Sequence, residues 1–257
     1  MVTAVAASPT IVSLVPSLTE ALVEWGAGER LLARTRYCIE PAGRIGAVEA
    51  VGGTKNPDVE RIVALAPDLV VVNKEENRIE DCQRIEQAGI ALHVTHPRTV
   101  ADAASMLEEL AAATGLAEAA AGDVARAHAA VAANRAAADG LLAFCPIWRR
   151  PWMTFSDDTY IGDVLARAGC TNVFGATGQG DFFEVALADV VAADLDVVVL
   201  PDEPYVFAAE HAAELAAAGV RAPAVLVDGK DLAWYGPRIG PGLARLRRAI
   251  AEAAVRP

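Results

Sequence analysis

The chain has 257 residues, 54% of them hydrophobic, and its 22 basic and 34 acidic residues give a formal net charge of -12. This length suits one large domain or two small ones, and the apolar content suffices for sizeable cores, which excludes extensive disorder. The acidic balance repels phosphate backbones, so we expect no nucleic-acid partner and instead a small molecule or a protein.

The start of the chain, MVTAVAASPTIVSLV, lacks the basic start and long apolar stretch of a secretory signal. No stretch of about 18 residues is apolar without charge or proline, so no membrane insertion is expected. We therefore expect a cytoplasmic protein if Met1 is the native start. If a leader was removed, a periplasmic or cell-surface location is the alternative.

The first half of the chain alternates strand and helix patterns, which indicates βαβ units and a parallel sheet. A strand at 11–15 precedes a helix in which Ser17 and Glu20 have capping-box spacing. Gly52 permits a turn, and Asn56 before Pro57 predicts the start of the next helix. Strands at 68–73 and 90–95, with a helix at 78–88 between them, complete this half.

An alanine-rich segment at 100–138 has few breakers beyond Gly115 and Gly122, and it predicts one long helix. Beyond it the pattern predicts strands at 152–156 and 195–200, a helix at 160–168 and a last helix from about Pro237. We therefore expect an amino-terminal α/β lobe at 1–98, a linking helix at 99–139 and a carboxy-terminal α/β lobe at 140–257.

The segment IVALAPDLVVV at 62–72 aligns with VVAADLDVVVL at 190–200 after a shift of 128 residues. An offset of half the chain favours two similar lobes. The alternative is that any two helix–strand units rich in alanine and valine look alike.

Ligands of open parallel sheets collect beyond the carboxyl ends of the strands. The candidate ligand-binding residues are those expected at these ends: Ser17, Tyr37, Cys38, Thr54, Lys55, Asn73, Lys74, Glu75 and His96 from the first lobe, and Trp148, Asp157, Tyr160, Phe182, Trp234 and Tyr235 from the second. Aromatic residues concentrate in the second lobe, which favours a broad apolar ligand, although Trp152 and Phe183 are expected in the core.

Catalytic motifs are scarce. The adjacent pairs Glu75-Glu76 and Asp157-Asp158 are typical of solvated loops, and only His96 is a credible metal ligand or general base. The four cysteines form no C-x-x-C pair, and the glycines before Lys55 lack Walker spacing. We therefore expect no enzymatic activity, no assigned metal site and no required cofactor.

Four segments, IVSLVPSLTEAL, NPDVERIVALAPDLVVV, VALADVVAADLDVVVLP and WYGPRIGPGLARL, resemble the cobalamin and iron-siderophore substrate-binding proteins of ABC importers. The resemblance extends from about residue 10 to 250 and is closest to leaderless cobalamin-binding-like members. It implies an α/β fold of two Rossmann-like lobes with parallel sheets, joined by one long rigid helix, with the ligand cleft between them. It also implies ligand contacts at Tyr37, Asn73 to Glu75, Phe182, Trp234 and Arg238.

Family members dock on a permease through one glutamate on each lobe. Glu60 matches the first position, whereas the second is Ala188 with Asp189 beside it. The resemblance thus implies a possible ABC permease partner through Glu60 and Asp189, and the missing carboxylate weakens that expectation.

We therefore predict noncatalytic binding of a bulky metal-containing small molecule, with cobalamin or another corrinoid favoured and haem or a ferric siderophore as further candidates. If the protein supplies an axial ligand, the candidates are His96, Tyr37 and Cys38. One alternative is an enzyme that acts on a tetrapyrrole or metal chelate on the same scaffold. Another is the solute-binding component of an importer whose leader was removed.

Overall fold

The computed structural model describes residues 8–132, 140–176 and 178–254, in which strands and helices mostly alternate. The first strands and helices are β1 (Ile11–Ser13), α1 (Pro16–Glu24), β2 (Leu31–Arg34), β3 (Glu49–Ala50), α2 (Val59–Leu65), β4 (Leu69–Asn73), α3 (Ile79–Gln87), β5 (Ala91–Thr95), α4 (Val100–Ala113) and α5 (Ala117–Ala132), with a short 3-10 helix at Gly28–Arg30. Those that follow are β6 (Leu141–Phe144), β7 (Met153–Phe155), α6 (Tyr160–Arg167), β8 (Cys170–Asn172), β9 (Phe182–Glu184), α7 (Leu187–Ala192), β10 (Val197–Pro201), α8 (Ala209–Ala218), β11 (Ala224–Val227), α9 (Gly229–Ala233) and α10 (Ile239–Ala254).

The chain divides into two compact units. The first unit comprises Met1–Pro97, Ala103–Arg126 and Tyr235–Pro237, and the second comprises Arg98–Asp102, Ala127–Trp234 and Arg238–Pro257. Each unit has its own parallel sheet flanked by helices, so the predicted α/β class is confirmed. None of the helices in the part of the chain described here has the length and apolar character needed to cross a membrane.

The first unit contains a five-stranded parallel sheet in the order β3-β2-β1-β4-β5. The central strands β1 and β4 are buried along their whole length, as their uninterrupted apolar sequences predict. Val12, Val70 and Val72 pack with Ile62 of α2 and Ile85 of α3 to form the core.

Two helix starts in this unit differ from the prediction. Helix α1 begins at Pro16 after Val15, which has no capping side chain, so the expected capping box between Ser17 and Glu20 is wrong. Proline suits this first position because its fixed φ is helical and it has no N–H to leave unpaired.

Helix α2 begins two residues after Pro57 rather than at it. Asp58 caps the helix by accepting the Arg61 amide N–H at 2.9 Å, whereas Pro57 bridges to Gly52. Asn56 is therefore not the cap. The Asp58 carboxylate also suits the positive end of the helix dipole.

The second unit contains a four-stranded parallel sheet, β11-β10-β6-β8, and an antiparallel pair, β7-β9. Trp152 and Phe183 are both 6% exposed and pack with Phe144, so their expected place in the core is confirmed. The α7–β10 unit has the same helix–strand order as α2–β4, and these are the two segments that align in sequence.

The single helix expected at 99–139 is two helices, α4 and α5. Gly115 adopts φ +68° and donates its N–H to Ala112, while the Leu116 N–H bonds to Ala111. This is a Schellman motif, which ends α4 because glycine enters the left-handed conformation without a Cβ clash. Residues 133–139 of the expected helix lie outside the described part of the chain.

Candidate functional site

The residues that follow β1, β2, β4 and β5 lie at one edge of the first sheet, because parallel strands end on the same side. We call this the first carboxyl edge. It holds the predicted residues Ser17, Tyr37, Asn73 to Glu75 and His96, and it is built by the loops after each strand.

Two buried amides fix the loop after β4. The Asn73 amide N–H donates to Asn77 Oδ1 at 2.7 Å, and Asn73 Oδ1 accepts the Glu75 N–H at 2.8 Å. Asn77 Nδ2 reaches the carbonyls of Leu14 and Thr54 at 3.3 and 3.0 Å. Asn73 is 1% exposed, and its hydrogen bonds order the loop that carries Lys74 and Glu75.

Charged groups meet around Glu75. Lys55 Nζ donates to the Glu75 carbonyl at 2.5 Å, and His96 Nε2 lies 3.4 Å from Glu75 Oε1. Burial raises the pKa of the neighbouring Glu76 to about 8, with a further rise from Glu75 and an opposing effect of Lys55. Glu75 and Glu76 are half-buried rather than fully solvated, and at Glu76 burial favours the neutral carboxylic acid over the carboxylate.

Tyr37 and Cys38 are adjacent but differently placed. The Tyr37 side chain is 51% exposed, with the Arg36 guanidinium 5.0 Å from its ring centroid. Cys38 is fully buried and its Sγ accepts the Thr19 hydroxyl at 3.1 Å, while burial raises the pKa of the thiol. The candidate ligand-binding residue Cys38 is therefore directed into the first unit rather than toward solvent.

The loops after β6, β10 and β11 form the corresponding edge of the second sheet, which we call the second carboxyl edge. Trp148 is 45% exposed here, and its ring meets Tyr205 edge-on at a centroid distance of 5.5 Å. The Tyr205 hydroxyl lies 3.2 Å from His211 Nε2, which holds the tyrosine in place. Phe182, at the start of β9, is 39% exposed.

Trp234 is the centre of a charged cluster in the second unit. Its indole N–H donates to Glu203 Oε2 at 3.0 Å, and Lys230 and Arg238 each lie 5.6 Å from its ring centroid. Arg238 also approaches Asp228 at 3.8 Å. Burial raises the pKa of Glu203, and Lys230 and the Trp234 hydrogen bond oppose this rise. Trp234 itself is 9% exposed, so its ring presents little surface.

Of three other predicted ligand-binding residues, two are buried and one is exposed. Tyr160 is 3% exposed and donates its hydroxyl to the Trp234 carbonyl at 3.2 Å, and burial raises its pKa. Tyr235 is 5% exposed, and its hydroxyl lies 3.4 Å from Asn73 Nδ2. Asp157 is exposed, and partial burial of its carboxyl group together with Asp158 raises its pKa.

Sequence reasoning missed Lys230 and Asp228, because it did not predict β11. The signal was present: a short apolar run at 224–227 is followed by Asp228-Gly229, a pair typical of the turn after a strand. Asp228 caps α9 by accepting the Lys230 N–H at 2.9 Å. The cap positions Lys230 beside Trp234.

The expected docking residues occupy matching places in the two units. Glu60 is the second residue of α2 and is exposed, and Ala188 is the second residue of α7 and is exposed as well. Asp189 follows one position later, so its side chain points about 100° further round the helix.

Exposed aromatic side chains are the main features that the two units offer to a ligand. Residues 8–132, 140–176 and 178–254 contain no group of three or more His, Cys, Asp or Glu residues placed to hold a metal ion. What they offer is exposed aromatic side chains at Tyr37, Trp148 and Phe182, with the Arg36 guanidinium beside the Tyr37 ring. Such edges suit a large ligand with both apolar and polar surface.

Comparison with known proteins gives a family and a set of relatives. The family model described as "Periplasmic binding protein" matches residues 11–218. A vitamin B12-binding protein of Vibrio parahaemolyticus is 25% identical over 191 residues, which cover 73% of this chain and 69% of that protein.

Two solved structures have the same fold. The periplasmic heme-binding protein RhuT of Roseiflexus sp. RS-1 in apo form aligns with a TM-score of 0.79 and 23% identity, covering 96% of this chain and 99% of that one. The periplasmic vitamin B12-binding protein BtuF of Vibrio cholerae gives a TM-score of 0.79 and 18% identity over the same shares. With most of its length matched by the family model, the chain belongs to the periplasmic binding protein family.

Proposed function

We propose that this protein binds a bulky metal-containing small molecule without transforming it, with cobalamin as the favoured ligand and haem as the second candidate. The supporting observation is the exposure of three aromatic side chains: Tyr37 and Trp148 lie in loops at the carboxyl edges of the two parallel sheets, and Phe182 begins β9 of the antiparallel pair. The names of the relatives, vitamin B12-binding and heme-binding proteins, support this ligand class. A flat conjugated ring system matches such side chains through van der Waals and stacking contact.

The test is titration of the purified protein with cobalamin, cobinamide, haemin and a ferric siderophore, followed by absorbance and calorimetry. We expect saturable one-to-one binding of at least one of them. Replacing Trp148 and Phe182 together by alanine should weaken that binding about tenfold or more, as for buried aromatic anchors. Leu142→Ala is the matched control, because Leu142 is 37% exposed but lies near the amino end of β6.

Absence of saturable binding to all four ligands would refute the proposal. Equal weakening by Leu142→Ala would show that the aromatic pair acts through stability rather than contact. The mass and absorption spectrum of any compound that copurifies provide an independent identification.

We also propose an ABC permease as partner, docked through Glu60 and Asp189, and a location outside the cytoplasmic membrane in keeping with the family. The matched helix positions of Glu60 and Ala188 support this partner. If Asp189 replaces the second carboxylate, Glu60→Ala and Asp189→Ala should each weaken binding to the permease, whereas Ala188→Glu should strengthen it. Cell fractionation with antibody detection tests the location.

A further inference from the structure

The first turn of α1 lacks the partners that a helix start normally has. Pro16 has no N–H, and Val15 at the cap position has no side chain that could accept one. Thr19 is the first residue whose amide bonds back, to the Val15 carbonyl at 2.9 Å. The amide hydrogens of Ser17 and Leu18 therefore belong to the unpaired set that every helix start carries.

Ser17 adds a hydroxyl to these amides. The residue is 3% exposed, and its Oγ has no hydrogen-bond partner among the residues that the structure describes. Side chains in a helix lean toward the N-terminus, so the Ser17 hydroxyl lies with the free amides of the first turn. A buried hydroxyl without a partner is costly, which indicates that a group not belonging to the chain completes this site.

The surroundings favour an anionic group. Helix α1 follows β1 directly, so its start lies at the first carboxyl edge together with the cations Arg36, Lys55 and Lys74. The acids nearby are Glu75, which lies 3.4 Å from His96 Nε2, Glu76, whose pKa burial raises to about 8, and the buried Glu20, one turn further along α1. The positive end of the helix dipole adds to the field that these cations produce.

We propose that the N-terminus of α1, with the Ser17 hydroxyl and the Ser17 and Leu18 amides as donors, binds an anionic oxygen carried by the ligand, a carboxylate or a phosphate. This inference rests on the proposed function and specifies which part of the ligand the first unit holds. A carboxylate and a phosphodiester both present anionic acceptor oxygens. An experiment is therefore needed to distinguish these two sources.

The experiment uses two pairs of ligands, each pair sharing one ring system. Haemin carries two carboxylates, and its dimethyl ester carries none; cobalamin carries a phosphodiester, and cobinamide lacks it. We expect the wild-type protein to prefer the anionic member of one pair about tenfold or more, as for hydrogen bonds to a charged group. The pair that shows the preference identifies the source of the anion.

Ser17→Ala should reduce this preference severalfold and leave the affinity for the member without the anionic group unchanged. Ser17→Thr keeps the hydroxyl and should keep the preference. The melting temperature of the ligand-free variants controls for folding. If the hydroxyl only holds an internal water, Ser17→Ala would change the melting temperature and leave the affinity ratio at the wild-type value. This result would overturn the inference.

Failure of the proposed function is distinguishable from failure of this site. If none of the four chelates binds, inorganic phosphate is titrated into the wild-type protein and Ser17→Ala while amide chemical shifts are recorded. Saturable shifts at Ser17 and Leu18 that Ser17→Ala abolishes would support the anion site on its own. Identical responses of the two proteins, or no response, would overturn it.

Discussion

Glu76 lies in the loop after β4, where burial and the neighbouring Glu75 hold its pKa near 8 and Lys55 opposes them. The same loop is held by hydrogen bonds of Asn73 and Asn77. An acid whose pKa is higher in the folded than in the unfolded state favours folding at low pH, because the folded state then binds the additional proton. The stability of the first unit should therefore depend on pH through this side chain.

The free energy of unfolding should fall as the pH rises from about 4.5 to about 8, by at most about 1.4 kcal/mol per pH unit, and this fall should disappear in Glu76→Gln. Above both pKa values the difference between the two proteins should be constant. Urea unfolding at a series of pH values measures it. Glu118→Gln, an exposed change in the first turn of α5, is the control and should keep the wild-type slope; a wild-type slope in Glu76→Gln would contradict the assignment.

Gly52 and Gly26 share a positive φ but differ in their surroundings. A Cβ on Gly52, at φ +91°, would lie 2.5 Å from the Asn56 carbonyl oxygen, whereas one on Gly26, at φ +95°, would meet no atom within 4 Å. Gly26→Ala should cost about 1 to 2 kcal/mol of stability from backbone strain alone. Gly52→Ala should cost distinctly more. Chemical denaturation measures both, and equal losses would show that the turn before α2 yields to the new methyl group.

The residue at which α2 begins was only partly predictable from the sequence. Both Asn56 before Pro57 and Asp58 before Val59 are acceptable helix starts by residue type, and only the bridge between Gly52 and Pro57 excludes the first. That bridge depends on tertiary structure. Local propensity alone therefore placed the helix start two residues too early.

Asp58→Ala should destabilise the protein by about 0.5 to 2 kcal/mol, because the carboxylate accepts the Arg61 amide N–H. Asn56→Ala should change stability by less than about 0.5 kcal/mol, since this side chain is exposed and caps nothing. Thermal unfolding of both variants makes the comparison. A larger loss for Asn56→Ala would return the cap to the position that the sequence predicted.

Strand length explains which elements were predictable. The five-residue strands β4 and β10 are buried throughout and, apart from Asn73 at the end of β4, apolar, and the sequence predicts both. Strand β8 has the sequence Cys170-Thr171-Asn172, which has no β periodicity, and it forms because it pairs with β6. The exposure of Trp148 and Phe182 agrees with their expected place in loops, whereas Cys38 is buried with a hydrogen bond to Thr19, 19 residues away, which no local pattern reveals.

At the scale of the whole molecule, each unit has its own sheet and core, and a ligand stabilises the folded chain by mass action. At a hundredfold excess over its dissociation constant, the ligand should raise the free energy of unfolding by about 2.7 kcal/mol. For a chain of this size that corresponds to a rise in melting temperature of about 5 to 10 °C. Scanning calorimetry with cobalamin or haemin measures it, and measured binding without a rise would mean that the unfolded chain binds equally well.

The four tryptophans differ in exposure, so tryptophan fluorescence can report on ligand binding. Trp25, Trp152 and Trp234 are 4, 6 and 9% exposed, whereas Trp148 is 45% exposed. Iodide in solution should therefore quench mainly the red-shifted part of the fluorescence emission, which belongs to Trp148. A coloured chelate seated against this ring would shield it from iodide and accept its excitation energy, so a single residue distinguishes the empty from the occupied second carboxyl edge.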